Sequence, residues 1–356
     1  MNSSLDNKRV RVLVAGLGNM GLSHALAYEA NPDFEIVGLV NRSRVTLPDA
    51  LAHYEILPSF PEALAELKPE LCSINTYSDS HADFAVMAME AGCHVFVEKP
   101  LATTVADAER VVACARANNR KLVVGYILRH HPSWITLIEE ARALGGPYVF
   151  RMNLNQQSSG PTWETHKSLM NTTPPIVDCG VHYVDVMCQI TDAKPVEVRG
   201  MGLRLSNEIA PDMYNYGHLQ VIFDDGSVGW YEAGWGPMMS ETAFFVKDVM
   251  SPNGSVSIVM DANAKSDDID THTKTSVIRI HRAATGPDGR FTTPDEDRTM
   301  DGEPGHQQLC DREQAYVLKA IREDIDLARH MDDAVQSLKI CLAADESVRS
   351  GHPVKL

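Results

Sequence analysis

At 356 residues the chain exceeds the ~250–300 over which one hydrophobic core keeps growing, so two domains are expected. It is 44% hydrophobic and 22% charged, an ordinary globular balance, and no apolar run reaches the ~18–20 residues of a membrane helix. The net charge of −16 repels nucleic acid and anionic membrane surfaces, so neither is an expected partner. Seven cysteines without a Cys-x-x-Cys pair point to reduced thiols and a cytoplasmic setting. The polar start, Met1 to Lys8, lacks the apolar core of a leader, so the chain is expected to begin near Met1.

The first element is a strand over Arg9–Ala15, with valines at alternate positions. Gly16-Leu17-Gly18-Asn19-Met20-Gly21 follows it directly, and Leu22–Ala30 then reads as a helix. Strand, G-x-G-x-x-G and helix in that order form the dinucleotide-binding fingerprint. Gly16 allows the turn, Gly18 admits a pyrophosphate and Gly21 lets helix and strand approach. Asn19 and Met20 lie within the phosphate loop. The second strand, Glu35–Val40, ends at Asn41-Arg42-Ser43-Arg44. NAD-binding proteins usually carry a carboxylate there for the ribose 2′-hydroxyl. Two guanidinium groups and a hydroxyl stand there instead, which favours NADP over NAD.

Alternation continues through helix Pro61–Leu67, strand Leu71–Asn75, helix His81–Ala91, strand Cys93–Val97, helix Ala106–Asn118 and strand Lys121–Tyr126. This pattern predicts a parallel, doubly wound sheet over residues 8–128, an α/β domain. Ligands bind such sheets at the carboxyl ends of the strands. That rule selects a rim of Asn75-Thr76-Tyr77, Glu98-Lys99-Pro100 and Ile127–His131, with Asn75, Thr76, His81, Glu98 and Lys99 expected to contact cofactor.

Residues 129–356 read as an α+β domain for substrate binding and oligomerisation. Strands are expected at Val149–Leu154, Val196–Leu205 and Ser276–His281. Two hairpins are expected, His218–Phe223 with Ser227–Glu232 and Ala243–Val249 with Ser255–Met260, turning at Asp225-Gly226 and Asn253-Gly254. They imply a large, open, mostly antiparallel sheet closed by helices Asp311–Ala328 and Asp332–Ser350. Trp230, Tyr231 and Trp235 are candidates for an outer face that meets another subunit. Gln156–Met170, with Trp163, His166 and Lys167, reads as a loop over the pocket that selects substrate. Thr285–Gly305 reads as an exposed loop.

Three segments resemble the glucose–fructose oxidoreductase, inositol dehydrogenase and rhizopine catabolism (Gfo/Idh/MocA) family. They are Gly16–His24, Ala91-Gly92-Cys93-His94-Val95-Phe96-Val97-Glu98-Lys99-Pro100-Leu101, and Asp178-Cys179-Gly180-Val181-His182-Tyr183-Val184-Asp185. The resemblance implies an N-terminal Rossmann domain and an active site of Lys99, Asp178 and His182. It also implies that Glu98 and Pro100 shape the loop, that the Lys99–Pro100 bond is cis, and that a cofactor-contacting arginine falls near Arg129. It implies pairing of copies through the C-terminal sheet, as a homodimer or homotetramer. The chain departs from the pattern at Thr172-Thr173-Pro174-Pro175, where relatives carry glycines, and in an extra polar stretch over Ala262–Glu303.

The chemistry suits oxidation of a sugar or cyclitol hydroxyl. The free pKa of an imidazole, ~6.5, suits His182 to serve as the base, while Lys99 stabilises the developing alkoxide. Asp178, four residues before His182, orients Lys99 or grips a neighbouring hydroxyl. Trp163 and His166 join these three as expected substrate contacts. Asp185 is expected as a structural partner and His24 as a packing or cofactor-side residue. Cys179 is expected as a buried filler. No H-E-x-x-H or paired cysteine spacing occurs, so no metal is expected. Two other functions use the same residues: a cofactor-retaining glycosidase or epimerase, and a non-catalytic NAD(P)-sensing regulator.

Overall fold

A computed structural model describes residues 8–268 and 270–356. The segment Met1–Asn7, where no leader was expected, lies outside the described residues. The chain divides into two units, residues 8–127 with His306–Val335, and Leu128–Gly305 with Gln336–Leu356.

The first unit opens with β1 (Val10–Ala15), α1 (Asn19–Ala30), β2 (Phe34–Val40), β3 (Ile56–Leu57) and α2 (Phe60–Leu67). It continues through β4 (Leu71–Ile74), α3 (His81–Glu90), β5 (His94–Glu98), α4 (Val105–Ala117) and β6 (Leu122–Gly125). The six strands lie in the order β3-β2-β1-β4-β5-β6, every pairing parallel. This is the doubly wound order, with its direction reversing between β1 and β4. The central strands are apolar on both faces because helices cover both, which is why they read as valine-rich runs. Side-chain caps begin two helices: Ser59 accepts the amide of Glu62 and Thr104 that of Asp107.

The second unit contains α5 (Pro132–Leu144), β7 (Val149–Gln157), α6 (Gly160–Leu169), α7 (Pro175–Asp178), α8 (Gly180–Ile190) and β8 (Pro195–Leu203). The strands β9 (Tyr216–Phe223), β10 (Val228–Gly236), β11 (Lys247–Ser251), β12 (Gly254–Val259), β13 (Val277–Arg282) and β14 (Glu296–Thr299) follow. After α9 (His306–Arg322) and α10 (Ala328–Ser350), β15 (Val354–Lys355) completes a nine-stranded sheet. Its order is β14-β13-β12-β11-β7-β10-β9-β8-β15, and only β7 and β10 pair in parallel. Both expected hairpins form, β9–β10 and β11–β12. One face is buried under helices. The other exposes Val149, Val196, Met201, Leu203, Ile222 and Val228, with Trp230 half-buried among them.

Five expectations change. Helix α9 starts earlier than expected and joins the first unit instead of closing the second sheet. Its Val317, Leu318 and Ala320 enter the core built by Val12, Val14, Tyr28 and Phe96. The second-domain assignment of 129–356 therefore fails over His306–Val335. Gln156–Met170 is not a loop, because Gly160-Pro161 starts α6 and its Trp163 and His166 are buried. Thr285–Gly305 contains β14, an edge strand whose Asp297 takes two bonds from Arg279, at 2.7 and 2.8 Å. Tyr231 and Trp235 point inward and are fully buried, leaving Trp230 alone at the outer face. Helix α5, absent from the expectations, buries Trp134, Leu137, Ile138, Ala141 and Leu144 at helical spacing. No helix among the described residues is long and apolar enough to cross a membrane. All seven cysteines are free thiols.

One buried cation belongs to the second unit. Lys247, 1% exposed, donates to the carbonyl of His272 and lies 5.4 Å from the ring centres of both Trp134 and Phe245. Burial pulls its pKa down to about 7, only partly opposed by Glu303. An unfolded lysine titrates near ~10.4, so between about pH 7 and pH 10 the unfolded chain holds a proton that the folded one has released. Stability therefore climbs with pH across that window, by at most about 1.4 kcal/mol per unit. Urea titrations of wild type and Lys247→Met are expected to show that climb in the wild type only. Parallel pH dependence in both would refute it.

Candidate active site

At the end of β1 the chain turns through Gly16, at φ +87°. A Cβ there would lie 2.4 Å from the carbonyl oxygen of Asn75. A Cβ on Gly21 would lie 1.9 Å from the carbonyl oxygen of Gly16. Both positions therefore admit only glycine. Gly18 differs, since a Cβ there would meet nothing within 4 Å. Gly18 is the N-cap of α1, with no side-chain cap and no acidic residue in the first turn, Asn19-Met20-Gly21. Bare amides and the positive helix end thus face open space, a cradle that fits a dinucleotide pyrophosphate.

Asn41 ties this loop to the end of β2. Its Oδ1 accepts the Leu17 amide at 3.0 Å, and its Nδ2 donates to the carbonyl of Ser43 at 2.8 Å. Arg42, Ser43 and Arg44 beyond it are exposed. The backbone of Asn75 donates to the carbonyl of Ala15 at 2.7 Å, and the Thr76 hydroxyl bonds that of Ser80 at 2.7 Å. Expected to touch cofactor, His81 is instead 1% exposed behind the rim. Its Nδ1 lies 2.8 Å from the carbonyl of Pro100 and its Nε2 3.0 Å from that of Thr76, so it braces two rim loops. Burial lowers its pKa against the pull of those two carbonyls.

β5 delivers Glu98 and then Lys99 to the same carboxyl edge of the sheet, and the Lys99–Pro100 peptide is cis. Glu98 is buried and faces the fold. Its Oε2 accepts the Lys99 amide at 3.1 Å, and its Oε1 lies 2.7 Å from His24 Nε2. It therefore holds the loop, as expected from the resemblance. Lys99 is half-buried. Two residues that the sequence reading missed complete this region, Glu313 and Gln314 of α9. Gln314 Nε2 lies 2.9 Å from His24 Nδ1. The signal was present, because Leu309, Cys310, Glu313, Gln314, Val317 and Leu318 recur at helical spacing and all are buried.

In the second unit α7 ends at Asp178, Cys179 keeps right-handed helical backbone, and α8 begins at Gly180. Asp178 is 9% exposed, and His182 is half-buried in the first turn of α8. Cys179 is buried, with its Sγ 3.9 Å from Asp178 Oδ2. One turn on, Asp185 accepts two bonds from Arg129, at 2.8 and 2.5 Å, and one from Gln189. Arg129 thus enters an ion pair with Asp185, the structural partner expected there. His166 stacks on Trp235, 4.3 Å between ring centres, and lies 2.9 Å from the Ser158 hydroxyl. Trp163 is 5% exposed. Both expected substrate contacts are packed into the wall of the unit.

Residues 10–126 match the model of an oxidoreductase family with an NAD-binding Rossmann fold, GFO/IDH/MocA. Residues 137–245 match the C-terminal domain of the same family. UDP-N-acetylglucosamine 3-dehydrogenase of Acidithiobacillus ferrooxidans is 29% identical over 194 residues, 54% of this chain and 58% of that protein. Inositol 2-dehydrogenase of Acidothermus cellulolyticus is 27% identical over 216 residues, 59% of this chain and 61% of that one. The chain thus spans about three-fifths of the length of these relatives. The structure of scyllo-inositol dehydrogenase from Lactobacillus casei, with bound NAD(H) and scyllo-inositol, superposes with a TM-score of 0.74 at 17% identity. That match covers 98% of this chain and 99% of that one, and it shows a shared fold. With both family domains matched in sequence, and the glycine cradle and Glu98-Lys99-Pro100 turn on one sheet edge, the chain belongs to the GFO/IDH/MocA family of oxidoreductases.

Proposed function

We propose that the protein is an NAD(P)-dependent oxidoreductase acting on a secondary hydroxyl, or the matching carbonyl, of a sugar, cyclitol or sugar derivative. The observation that carries this reading is the sharing of one sheet edge by an open amide cradle at Gly18 and the half-buried ammonium of Lys99. Relatives that oxidise UDP-N-acetylglucosamine and inositol support the substrate class. A bound nicotinamide supplies the two-electron acceptor.

In this reading His182 takes the hydroxyl proton on an imidazole nitrogen, and Lys99 donates a hydrogen bond to the same oxygen as negative charge grows there. Asp178 holds Lys99 or an adjacent hydroxyl. In the reduction direction the proton returns from His182. Glu98 keeps the Lys99 backbone in position through its amide. Arg42 and Ser43 give NADP the advantage over NAD, since Asn41-Arg42-Ser43-Arg44 carries no carboxylate to repel a 2′-phosphate. A second copy of the chain covers the apolar outer face around Trp230, because an exposed patch of this kind on a sheet favours association.

Reduced-nicotinamide absorbance, screened against sugars and cyclitols, tests the reading. Lys99→Ala and His182→Ala are each expected to lower turnover at least ~10²-fold with dinucleotide affinity close to wild type. Wild-type turnover in both variants would discard the assignment. For the cofactor, Arg42→Ala is expected to weaken NADP more than NAD in fluorescence titrations. Gly18→Ala is expected to weaken both equally without lowering the melting temperature, and an equal effect of Arg42→Ala on the two cofactors would remove the NADP preference. For the outer face, Trp230→Arg is expected to shift the mass measured by light scattering toward a monomer. A monomeric wild type would contradict the pairing.

A further inference from the structure

Beneath Lys99, three elements of the first unit bring ionisable groups into a closed space. His24 comes from α1, Glu98 from the end of β5 and Glu313 from α9. None is more than 6% exposed, and one ligand-type atom from each lies within 4.8 Å of the others. His24 Nε2 is 2.7 Å from Glu98 Oε1 and 4.0 Å from Glu313 Oε2. Neither oxygen of Glu313 meets a hydrogen-bonding partner among the described residues.

The protons in this cluster follow from its far end. Tyr28 is fully buried, which keeps its phenol protonated, and its O–H donates to Gln314 Oε1 at 2.6 Å. The amide oxygen of Gln314 is thereby turned to Tyr28, so its Nε2 donates to His24 Nδ1. An imidazole nitrogen that accepts holds no proton. The single N–H of neutral His24 is therefore on Nε2, and it points at Glu98. Donors run one way, from Tyr28 through Gln314 and His24 to Glu98, and Glu98 also accepts the Lys99 amide. With the proton on Nε2, that nitrogen offers no lone pair to a cation. Two carboxylates this close in a buried site suppress each other's ionisation, and Glu313 lacks the hydrogen bonds that would hold it ionised.

We propose that Glu98 and Glu313 carry one negative charge between them at neutral pH, with the proton on Glu313, and that His24, Gln314 and Glu313 are positioning residues that keep Glu98 anionic beneath the Lys99 main chain. The inference rests on the role given to Lys99 above. The groups facing Glu313 are His24 and Tyr28 from α1, Glu98 from β5, and Cys310 from its own helix with His306 beside it. Burial, and then the charge of Glu98, push the Glu313 carboxyl well above its ordinary range, in agreement with the geometry. A carboxyl whose pKa is raised on folding loses stability as pH rises. The unfolded chain releases that proton from about pH 4.3, while the folded chain retains it until its own, higher pKa.

Infrared spectroscopy at neutral pH is expected to show a buried, protonated carboxyl C=O stretch. The band should shift in deuterated solvent and be absent from Glu313→Gln. Urea titrations are expected to show the wild type losing stability relative to Glu313→Gln as pH rises above about 4.3. His24→Phe keeps a ring against Phe96 but breaks the link to Glu98. It is expected to lower kcat about tenfold or more while KM for dinucleotide stays within about twofold. The proposal is overturned if the wild type lacks the band at neutral pH, a measurement that needs no variant to fold. It is also overturned by one equivalent of bound metal in purified wild type that Glu313→Gln lacks, or by an unchanged kcat in His24→Phe. Failure of the Lys99 role looks different: Lys99→Ala would turn over normally while the infrared band and its pH behaviour persist.

Discussion

A carbonyl oxygen stands where a side chain at position 21 would begin. The 1.9 Å between the Gly16 oxygen and a Cβ on Gly21 fixes how closely α1 lies on β1, and most of the first unit follows from that approach. It aims the first turn of α1 at the carboxyl edge of the sheet, where its amides are free of side-chain caps. It sets His24, one turn further on, at the depth of Glu98. Glu98 in turn fixes the backbone of Lys99. Phosphate cradle and ammonium are thus consequences of one helix packed on one strand. Larger residues at either glycine would separate them.

The two units treat buried polarity differently. The first collects Tyr28, Gln314, His24 and Glu98 into a chain of bonds in which each donor has an acceptor. Such networks hold side chains in unique positions because a broken member leaves a partner unsatisfied in a low dielectric. The second buries one amine, Lys247, against two aromatic faces and a carbonyl, so burial shifts the amine toward its neutral form. In the same unit Arg129 pairs with Asp185, an ion pair that anchors the first turns of α8 from a neighbouring segment.

Much of this was legible in the sequence for a physical reason. Val10, Val12 and Val14 advertise a buried strand, and Gly16, Gly18 and Gly21 have separate geometric duties that no other residue performs at two of the three positions. Turns at Asp225-Gly226 and Asn253-Gly254 marked both hairpins through local backbone preference. What stayed hidden depends on distant contacts. β3 is two residues long and carries no periodicity. β14 is held by charge pairs to β13, so its Glu296-Asp297-Arg298-Thr299 reads as loop. Position along the chain placed His81, Glu98 and Arg129 near the ligand edge but could not show that they bond Pro100, His24 and Asp185, up to 74 residues away. The Glu313-Gln314 pair was visible as polarity within an apolar stripe, but its meaning required knowing which helix it would meet.

The return of α9 to the first unit bears on how the chain is made. Val317, Leu318 and Ala320 lie in the same core as Val12 and Phe96, and Gln314 completes the bonds of Tyr28 and His24. Domains generally fold as units during synthesis. Here the first unit cannot close its core until a helix made some 180 residues later has emerged, by which point eight of the nine strands of the second sheet have been made. The nascent unit meanwhile exposes the apolar surface of α1 and β1 that α9 later covers, so it stays incomplete until that helix has been made.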